Sequence, residues 1–142
     1  AILAASVHRG KFEPEFVALV SKHRAELERL PAAFISVSMA EATVEDTHAS
    51  DERRRAAEGE VKETIERFCQ ETGWRPEKIK AVAGALVYTQ YGVVTRLVVK
   101  FIAKGAGVST DTSRDHDFTD WNALARFTEE FADEVQEASK GA

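Results

Sequence analysis

Residues 1–38 read AILAASVHRGKFEPEFVALVSKHRAELERLPAAFISVS, and the order of apolar and polar residues in this stretch decides the fold. Two short, nearly continuous apolar runs, Ile2–Ser6 and Ala32–Ser38, are typical of strands buried on both faces. Between them, apolar spacings of three and four predict a helix that begins near Pro14 and ends at Pro31. Its inner face is predicted to hold Phe16, Val20, His23, Leu27 and Leu30. A strand, a helix and a strand in this order predict two parallel strands with a right-handed crossover.

The same alternation continues along the chain. Residues 40–50 are polar and without periodicity, which predicts a loop. Ser50 or Asp51 can cap a second helix, Gly73 ends it, and Ile79–Val87 is predicted to be a third strand. The inward residues of this helix are predicted to be Ala57, Val61, Ile65, Phe68 and Thr72.

A last helix is predicted after Thr119 or Asp120, either of which can cap it. Its inner face is predicted to hold Trp121, Leu124, Phe127, Phe131 and Val135. The predicted fold class is α/β, a three-layer parallel sheet in one domain over residues 1–142. Residues 88–118 are expected to form an insert in that domain. Three strands are fewer than the usual five or so, so we expect the sheet to be incomplete beside Ile2–Ser6.

Composition excludes several classes of protein. The chain has 142 residues, 44% of them apolar and 30% charged, as in an ordinary soluble domain. A net charge of −5 argues against nucleic-acid binding by bulk electrostatics. The single cysteine, Cys69, excludes an internal disulfide and is predicted to lie in the core. No apolar run reaches the roughly 18 residues of a membrane span, and a cytoplasmic location is expected.

The segment 91–104 reads YGVVTRLVVKFIAK and is basic within an acidic chain. Arg96, Lys100 and Lys104 recur every four residues, which places them on one stripe of an amphipathic helix. Such a helix either packs on the sheet with its cations in water, or lies in a membrane interface or over an apolar substrate. Residues 105–119 are predicted to be a polar loop.

Several catalytic and metal-binding motifs are absent. The chain has neither a G-x-S-x-G nucleophile elbow nor either glycine-rich phosphate fingerprint. An acidic cluster near the last helix lacks the glycine and glutamate that a calcium loop requires, so no metal site is predicted. Its members are Asp111, Asp115, His116, Asp117 and Asp120.

The loops that end the first two strands are the best candidates for a binding site. Ser6–Lys11 follows the first strand and Ser36–Ala40 completes the second. Both would offer backbone N–H and C=O groups and small side chains to a flat ligand at one edge of the sheet. His8 and Arg9 can donate to an anionic or electron-rich ring edge. The alternative is that the serines and His8 are ordinary strand-end and loop residues.

Three blocks of the sequence together resemble the flavodoxin-like protoporphyrinogen oxidase family, also called quinone-dependent protoporphyrinogen dehydrogenases. They are residues 4–40, ETGWRPEKIKAVAGALVYTQYG at 71–92, and TDTSRDHDFTDW at 110–121. The resemblance covers nearly the whole chain apart from residues 43–55 and the C-terminal tail. It implies a flavodoxin fold that binds FMN, takes electrons from a tetrapyrrole of haem synthesis and passes them to a quinone.

The resemblance also implies which residues form the site, although no catalytic residue is assigned. The cofactor-binding residues would be Ser6, Val7, His8, Arg9, Gly10, Lys11, Val37, Ser38, Met39, Asp111 and Thr112. Arg96 and Lys100 would bind the substrate's propionates. Phe12 stands where some members have His, and Val87 stands where some have Arg. The acid–base role of such a His and the propionate contact of such an Arg are therefore not expected in this chain.

The chain aligns with the family from its third strand onward. The resemblance therefore predicts that the first two strands and the phosphate loop are missing, and that the 142 residues alone bind FMN poorly. Two alternatives remain open, an FMN electron carrier without tetrapyrrole activity and a non-redox interaction domain. The expected partners are a tetrapyrrole and a quinone, with no nucleic acid. Residues 91–104 would make any peripheral contact with the inner face of the cytoplasmic membrane.

Overall fold

The computed structural model describes residues 1–86 and 116–140. Its strands are β1 (Ile2–His8), β2 (Lys11–Phe12), β3 (Ala33–Ser38), β4 (Lys78–Ala83), β5 (Ala85–Leu86) and β6 (His116–Asp117). Its helices are α1 (Pro14–Lys22), α2 (Arg24–Leu27), α3 (Met39–Glu45), α4 (Asp51–Thr72) and α5 (Trp121–Lys140). The three parallel strands β1, β3 and β4 are separated by helical segments, as predicted, although each segment contains two helices.

The main sheet has the strand order β2-β1-β3-β4. Strands β1, β3 and β4 are parallel, with Ser6 opposite Val37 and Ser38 opposite Ala83. The predicted parallel α/β sheet is therefore confirmed, and the short antiparallel β2 makes the sheet mixed. Because parallel strands end at the same edge, the segments that follow β1, β3 and β4 lie beside one another.

Aromatic rings form the core between the sheet and the helices α1 and α4. The rings of Phe34 and Phe68 stack with their centroids 4.7 Å apart, and the Phe12 ring lies 5.0 Å from that of Phe68. Trp74 meets both Phe34 and Phe68 edge to face and is 1% exposed. These contacts fix α4 against β3, which carries one of the predicted binding loops.

Helix α4 has the predicted ends and inner face. The Ser50 hydroxyl accepts a hydrogen bond from the Arg53 backbone N–H at 3.3 Å, and Gly73 adopts a φ of 68° just after the helix. Of the predicted inward residues, Ile65 is half-buried and the other four are buried. Cys69 is buried as well, and this burial raises the pKa of its thiol.

Burial of β1 differs from the prediction. Exposure alternates from residue to residue along the strand. The side chains on the face of Leu3 pack on the core, whereas Ile2 and His8, on the other face, are exposed. Helices α1 and α4 cover one face of the sheet only, and α5 reaches the other face at β4, where Lys78 forms an ion pair with Glu134 at 2.7 Å. Among the described residues, none covers that face of β1. Strand β3 is buried on both faces apart from the half-buried Val37, as expected.

The first predicted helix is split in two. Helix α1 ends before His23, where φ is −100°, and α2 ends at Leu27. Leu30 consequently lies beyond the helix, and its side chain is 55% exposed instead of buried. The inward position predicted for Leu30 is therefore wrong, because the periodicity does not continue past the helix end.

The predicted loop at 40–50 is also wrong in its first half. Residues Met39–Glu45 form helix α3, whose N-cap is Ser38. The Ser38 hydroxyl accepts a hydrogen bond from the Glu41 backbone N–H at 3.2 Å. Residues 38–41 read S-M-A-E, which is the capping-box pattern. This cap begins a helix that has almost no apolar periodicity.

The third predicted strand is interrupted at Gly84. Strand β4 pairs with β3 up to Ala83, whereas β5 pairs antiparallel with β6, so that Ala85 lies opposite Asp117. The polar loop predicted at 105–119 thus includes a strand, which sequence periodicity cannot indicate over two residues. Val87, at the predicted end of the third strand, lies outside the described residues.

Helix α5 begins after Asp120, whose carboxylate accepts a hydrogen bond from the Ala123 backbone N–H at 2.9 Å. This confirms the predicted cap. Phe131 is buried, and the remaining predicted inward residues of the helix are half-buried except Trp121. Trp121 is 64% exposed, so its predicted place in the core is wrong. Its indole N–H is bonded to Asp117, which holds the ring at the surface.

Candidate functional site

The loop after β1 is a tight hairpin at the carboxyl edge of the sheet. His8 pairs with Lys11, which leaves Arg9 and Gly10 as a two-residue turn. Both turn residues have positive φ, 52° and 75°, as a primed hairpin turn requires. A glycine at the second position meets that requirement without strain, and the hairpin is therefore built into the sequence.

The hairpin exposes three basic side chains, those of His8, Arg9 and Lys11. None of them has an ion-pair partner in residues 1–86 or 116–140. An unpaired group of basic residues on one turn creates a local positive potential in a chain of net charge −5. This potential favours an anionic or electron-rich ligand at the end of β1.

The end of β3 lies next to the hairpin. The loop predicted at Ser36–Ala40 is wrong, because Ser36–Ser38 complete β3 and Ser38 caps α3, which begins directly at Met39. Val37 is opposite Ser6 in the register, and adjacent strands are about 4.8 Å apart. Val37 and Met39 are half-buried, while Ser38 is buried and caps α3. The structure thus brings together the nine predicted cofactor-binding residues that it describes, Ser6–Lys11 and Val37–Met39. Asp111, Thr112, Arg96 and Lys100 lie outside the described residues.

Gly84 extends this edge toward β4. Its backbone N–H donates to the Ser38 carbonyl at 3.1 Å. A methyl group added at Gly84 would stand 3.3 Å from Cγ1 of Val37 and 3.9 Å from Sδ of Met39. The absence of a side chain at Gly84 therefore lets the ends of β3 and β4 approach closely, and the backbone hydrogen bond holds the β3–α3 junction against β4.

A second set of polar contacts, which the sequence interpretation missed, lies beside Gly84. The carboxylate of Asp117 accepts from the Thr119 backbone N–H at 3.0 Å and from the Trp121 indole N–H at 2.8 Å. These donors stabilise the charged carboxylate and hold the pKa of Asp117 below its usual range. The Thr119 hydroxyl donates to the Ala83 carbonyl at 2.9 Å, which ties the cluster to the end of β4.

Two carboxyl groups on α3 lie close to the same edge. Partial burial and repulsion from Glu45 raise the pKa of Glu41, although attraction to Lys80 on β4 opposes the shift. Burial likewise raises the pKa of Glu45. The first turn of α3 therefore carries a carboxylate that is costly to keep ionised at neutral pH.

A cavity lies at the opposite edge of the sheet. Its volume is about 530 Å³, and Leu30, Pro31, Trp74, Pro76 and Phe131 are among its lining residues. Its lining contains no residue of the two candidate loops. Within the described ranges, neither a cluster of metal-ligating side chains nor a helix long and apolar enough to cross a membrane is found.

Comparison with known proteins agrees with this arrangement. The flavodoxin-domain family matches residues 1–113, which is most of the chain. The chain belongs to the flavodoxin-domain family. Membership implies a flavin cofactor, and it agrees with the parallel sheet of the structure.

Two curated relatives of this flavodoxin-domain chain carry the same name, protoporphyrinogen IX dehydrogenase [quinone]. The relatives from Leishmania major and from Escherichia coli K12 are each 30% identical over 131 residues, or 92% of this chain. The chain spans 52% of the Leishmania protein, about half its length, and 67% of the Escherichia coli protein. No solved structure matches the chain significantly.

Proposed function

We propose that this flavodoxin-domain chain belongs to an FMN-dependent oxidoreductase that takes electrons from a tetrapyrrole of the protoporphyrinogen type and passes them to a quinone. One observation carries the proposal: the basic hairpin Ser6–Lys11 and the β3–α3 junction Val37–Met39 lie side by side at the carboxyl edge of the sheet. The names of the two relatives supply the substrate and the acceptor. The reaction belongs to haem biosynthesis.

The residues of the two loops suit a flavin. The hairpin turn offers backbone groups at Arg9 and Gly10 that no described helix or ladder uses, and ring edges are held by such groups. Val37 and Met39 offer apolar surface to a flat ring. The cations Arg9 and Lys11, which have no ion-pair partner among the described residues, favour a cofactor that carries negative charge. Bound FMN supplies two-electron redox chemistry, and the protein orients its ring and tunes its potential.

The remaining proposed contacts fall on residues outside those described. Asp111 and Thr112 would close over the cofactor, and Arg96 and Lys100 would form charge-assisted hydrogen bonds with the propionates of the substrate. Segment 91–104 would gather the apolar ring system or contact the inner face of the cytoplasmic membrane, where a quinone resides.

The proposal is tested with the full gene product by titration with FMN, followed by assay of protoporphyrinogen oxidation with a quinone as acceptor. We expect a yellow protein that quenches flavin fluorescence on binding and turns over the tetrapyrrole. A protein that cannot be loaded with FMN contradicts the proposal.

Ser38→Ala and Ser50→Ala form a matched pair for the site itself. Each removes the N-cap hydroxyl of one helix, at a cost of about 1 kcal/mol in the free energy of unfolding. Only Ser38 lies at the candidate site, so we expect Ser38→Ala to weaken FMN binding several-fold and Ser50→Ala to leave it unchanged. Equal FMN affinities for the two variants would place the cofactor elsewhere.

A further inference from the structure

Trp121 has an unusual position for a tryptophan. Its indole N–H is bonded to Asp117, while its side chain is 64% exposed at the first turn of α5. The other tryptophan, Trp74, is 1% exposed in the aromatic core. Large aromatic side chains usually bury most of their surface, and exposed ones with a satisfied polar atom are enriched in binding sites.

The fold does not need the indole ring at this position. Asp120 already caps α5, and the Thr119 hydroxyl already ties the start of the helix to the Ala83 carbonyl. The Trp121–Asp117 hydrogen bond serves only to orient the indole ring, because the Asp117 carboxylate is already held by the Thr119 backbone N–H. The ring is consequently fixed in direction, with much of its surface free of contacts from the described residues.

The ring stands on the β4 side of the candidate site. The Thr119 hydroxyl, two residues before Trp121, is bonded to the carbonyl of Ala83, the last residue of β4. The next residue, Gly84, is bonded through its backbone N–H to the carbonyl of Ser38 at the end of β3. The hairpin Ser6–Lys11 ends β1, two strands away, which is about 10 Å at the usual strand spacing. The two loops assigned to the flavin and the exposed indole thus flank the same edge without overlapping.

We propose that Trp121 is the residue that selects a flat tetrapyrrole, by stacking its indole on the macrocycle beside the flavin loops. This inference rests on the function proposed above. A flavin is also a flat conjugated ring, but its proposed loops are at β1 and β3, so the indole at β4 is assigned to the substrate. The bond from Asp117 pre-organises the indole, which reduces the entropy lost when the substrate binds.

The test uses the full gene product and protoporphyrin IX, the oxidised ring, as the probe. Binding is measured by the change in porphyrin absorbance for wild type, Trp121→Ala, Trp121→Phe and Leu19→Ala. Leu19 is a matched control, since it is an apolar side chain, 53% exposed, on α1. FMN affinity and the far-UV circular dichroism spectrum are measured on the same samples, the latter as a check of folding.

We expect Trp121→Ala to weaken porphyrin binding by about fivefold to tenfold, as loss of an aromatic contact does, while Trp121→Phe retains most of the affinity. KM for the tetrapyrrole should rise with kcat nearly unchanged, and FMN affinity should not move. Leu19→Ala should match wild type in every measurement.

Three results would overturn the inference, and they separate it from the proposed function. Unchanged porphyrin and FMN binding in Trp121→Ala rejects the role of Trp121 while the proposed function stands. Loss of FMN affinity with unchanged porphyrin binding reassigns the indole to the flavin. A wild-type protein that binds FMN but no porphyrin rejects both the tetrapyrrole substrate and the stacking role.

Discussion

Glu41 combines two roles at the start of α3. Its backbone N–H bonds to the Ser38 hydroxyl, and its carboxyl group lies partly buried near Glu45 and Lys80. Burial and the neighbouring carboxylate raise the pKa of Glu41, so the folded state favours its protonated form. The fold is therefore less stable when Glu41 is ionised, and this penalty is fully present above the raised pKa.

We expect Glu41→Gln to stabilise the protein at neutral pH, because it removes an ionised, partly buried carboxylate and keeps an amide that a capping box accepts. The gain should shrink as pH falls through the raised pKa and vanish below the ordinary value of 4.5, where wild-type Glu41 is protonated in both states. Thermal unfolding at several pH values measures it.

Glu129→Gln provides the control, since Glu129 is exposed on α5. It should change the unfolding temperature little at any pH. A Glu41→Gln gain that persists undiminished below pH 4 would show that its origin is not the ionised carboxylate.

At the scale of elements, helix α4 and strand β3 hold the candidate site in place. Phe68 on α4 contacts Phe12, Phe16, Phe34 and Trp74, so that the hairpin, α1 and β3 all meet at one ring. The apolar periodicity of α4 predicted this inner face correctly. It could not indicate which strand residues the rings would contact, because those partners are more than 30 residues away in sequence.

Phe68→Ala should lower the free energy of unfolding by about 3–5 kcal/mol, since it leaves a cavity among four aromatic rings. Phe68→Leu, which fills most of the volume, should cost less. Denaturant unfolding measures both. A loss below about 1 kcal/mol for Phe68→Ala would mean that the cluster is not closely packed.

The ends of helices and strands show which boundaries nearby residues can predict. The caps at Ser50 and Asp120 and the stop at Gly73 follow from side-chain chemistry within a few residues, and all three were predicted. Helix α3 was missed although its capping box is equally local, because the prediction relied on apolar periodicity. The split at Gly84 depends on β5 pairing with β6, a contact across more than 30 residues.

The charge of the whole molecule is unevenly distributed, and this unevenness bears on the substrate. Residues 75–104 hold six cations and one anion, within a chain of net charge −5. Basic groups near an apolar surface suit a ligand that carries both a large ring and carboxylates. The proposed tetrapyrrole enzyme gives these cations a role, whereas a simple electron carrier does not.

Replacing Arg96, Lys100 and Lys104 together by Gln should reduce protoporphyrinogen turnover at least tenfold and leave FMN binding unchanged. The physical reason is loss of the charge-assisted bonds proposed for the propionates. Replacing Arg55, Lys62 and Arg67 on α4 by Gln removes equal charge outside the basic stretch and serves as control. Turnover that survives the first replacement would favour the electron carrier.

Short-range chemistry in the amino-acid order determined the α/β class, the parallel strands, the start of α1, both ends of α4, the start of α5 and the turn after β1. Those features depend on apolar spacing, caps and turns, which act over a few residues. Tertiary structure decided which face of β1 is covered, that Leu30 and Trp121 are exposed, and that β5 pairs with β6. Burial depends on which distant elements pack against a residue, and periodicity along one element does not contain that information.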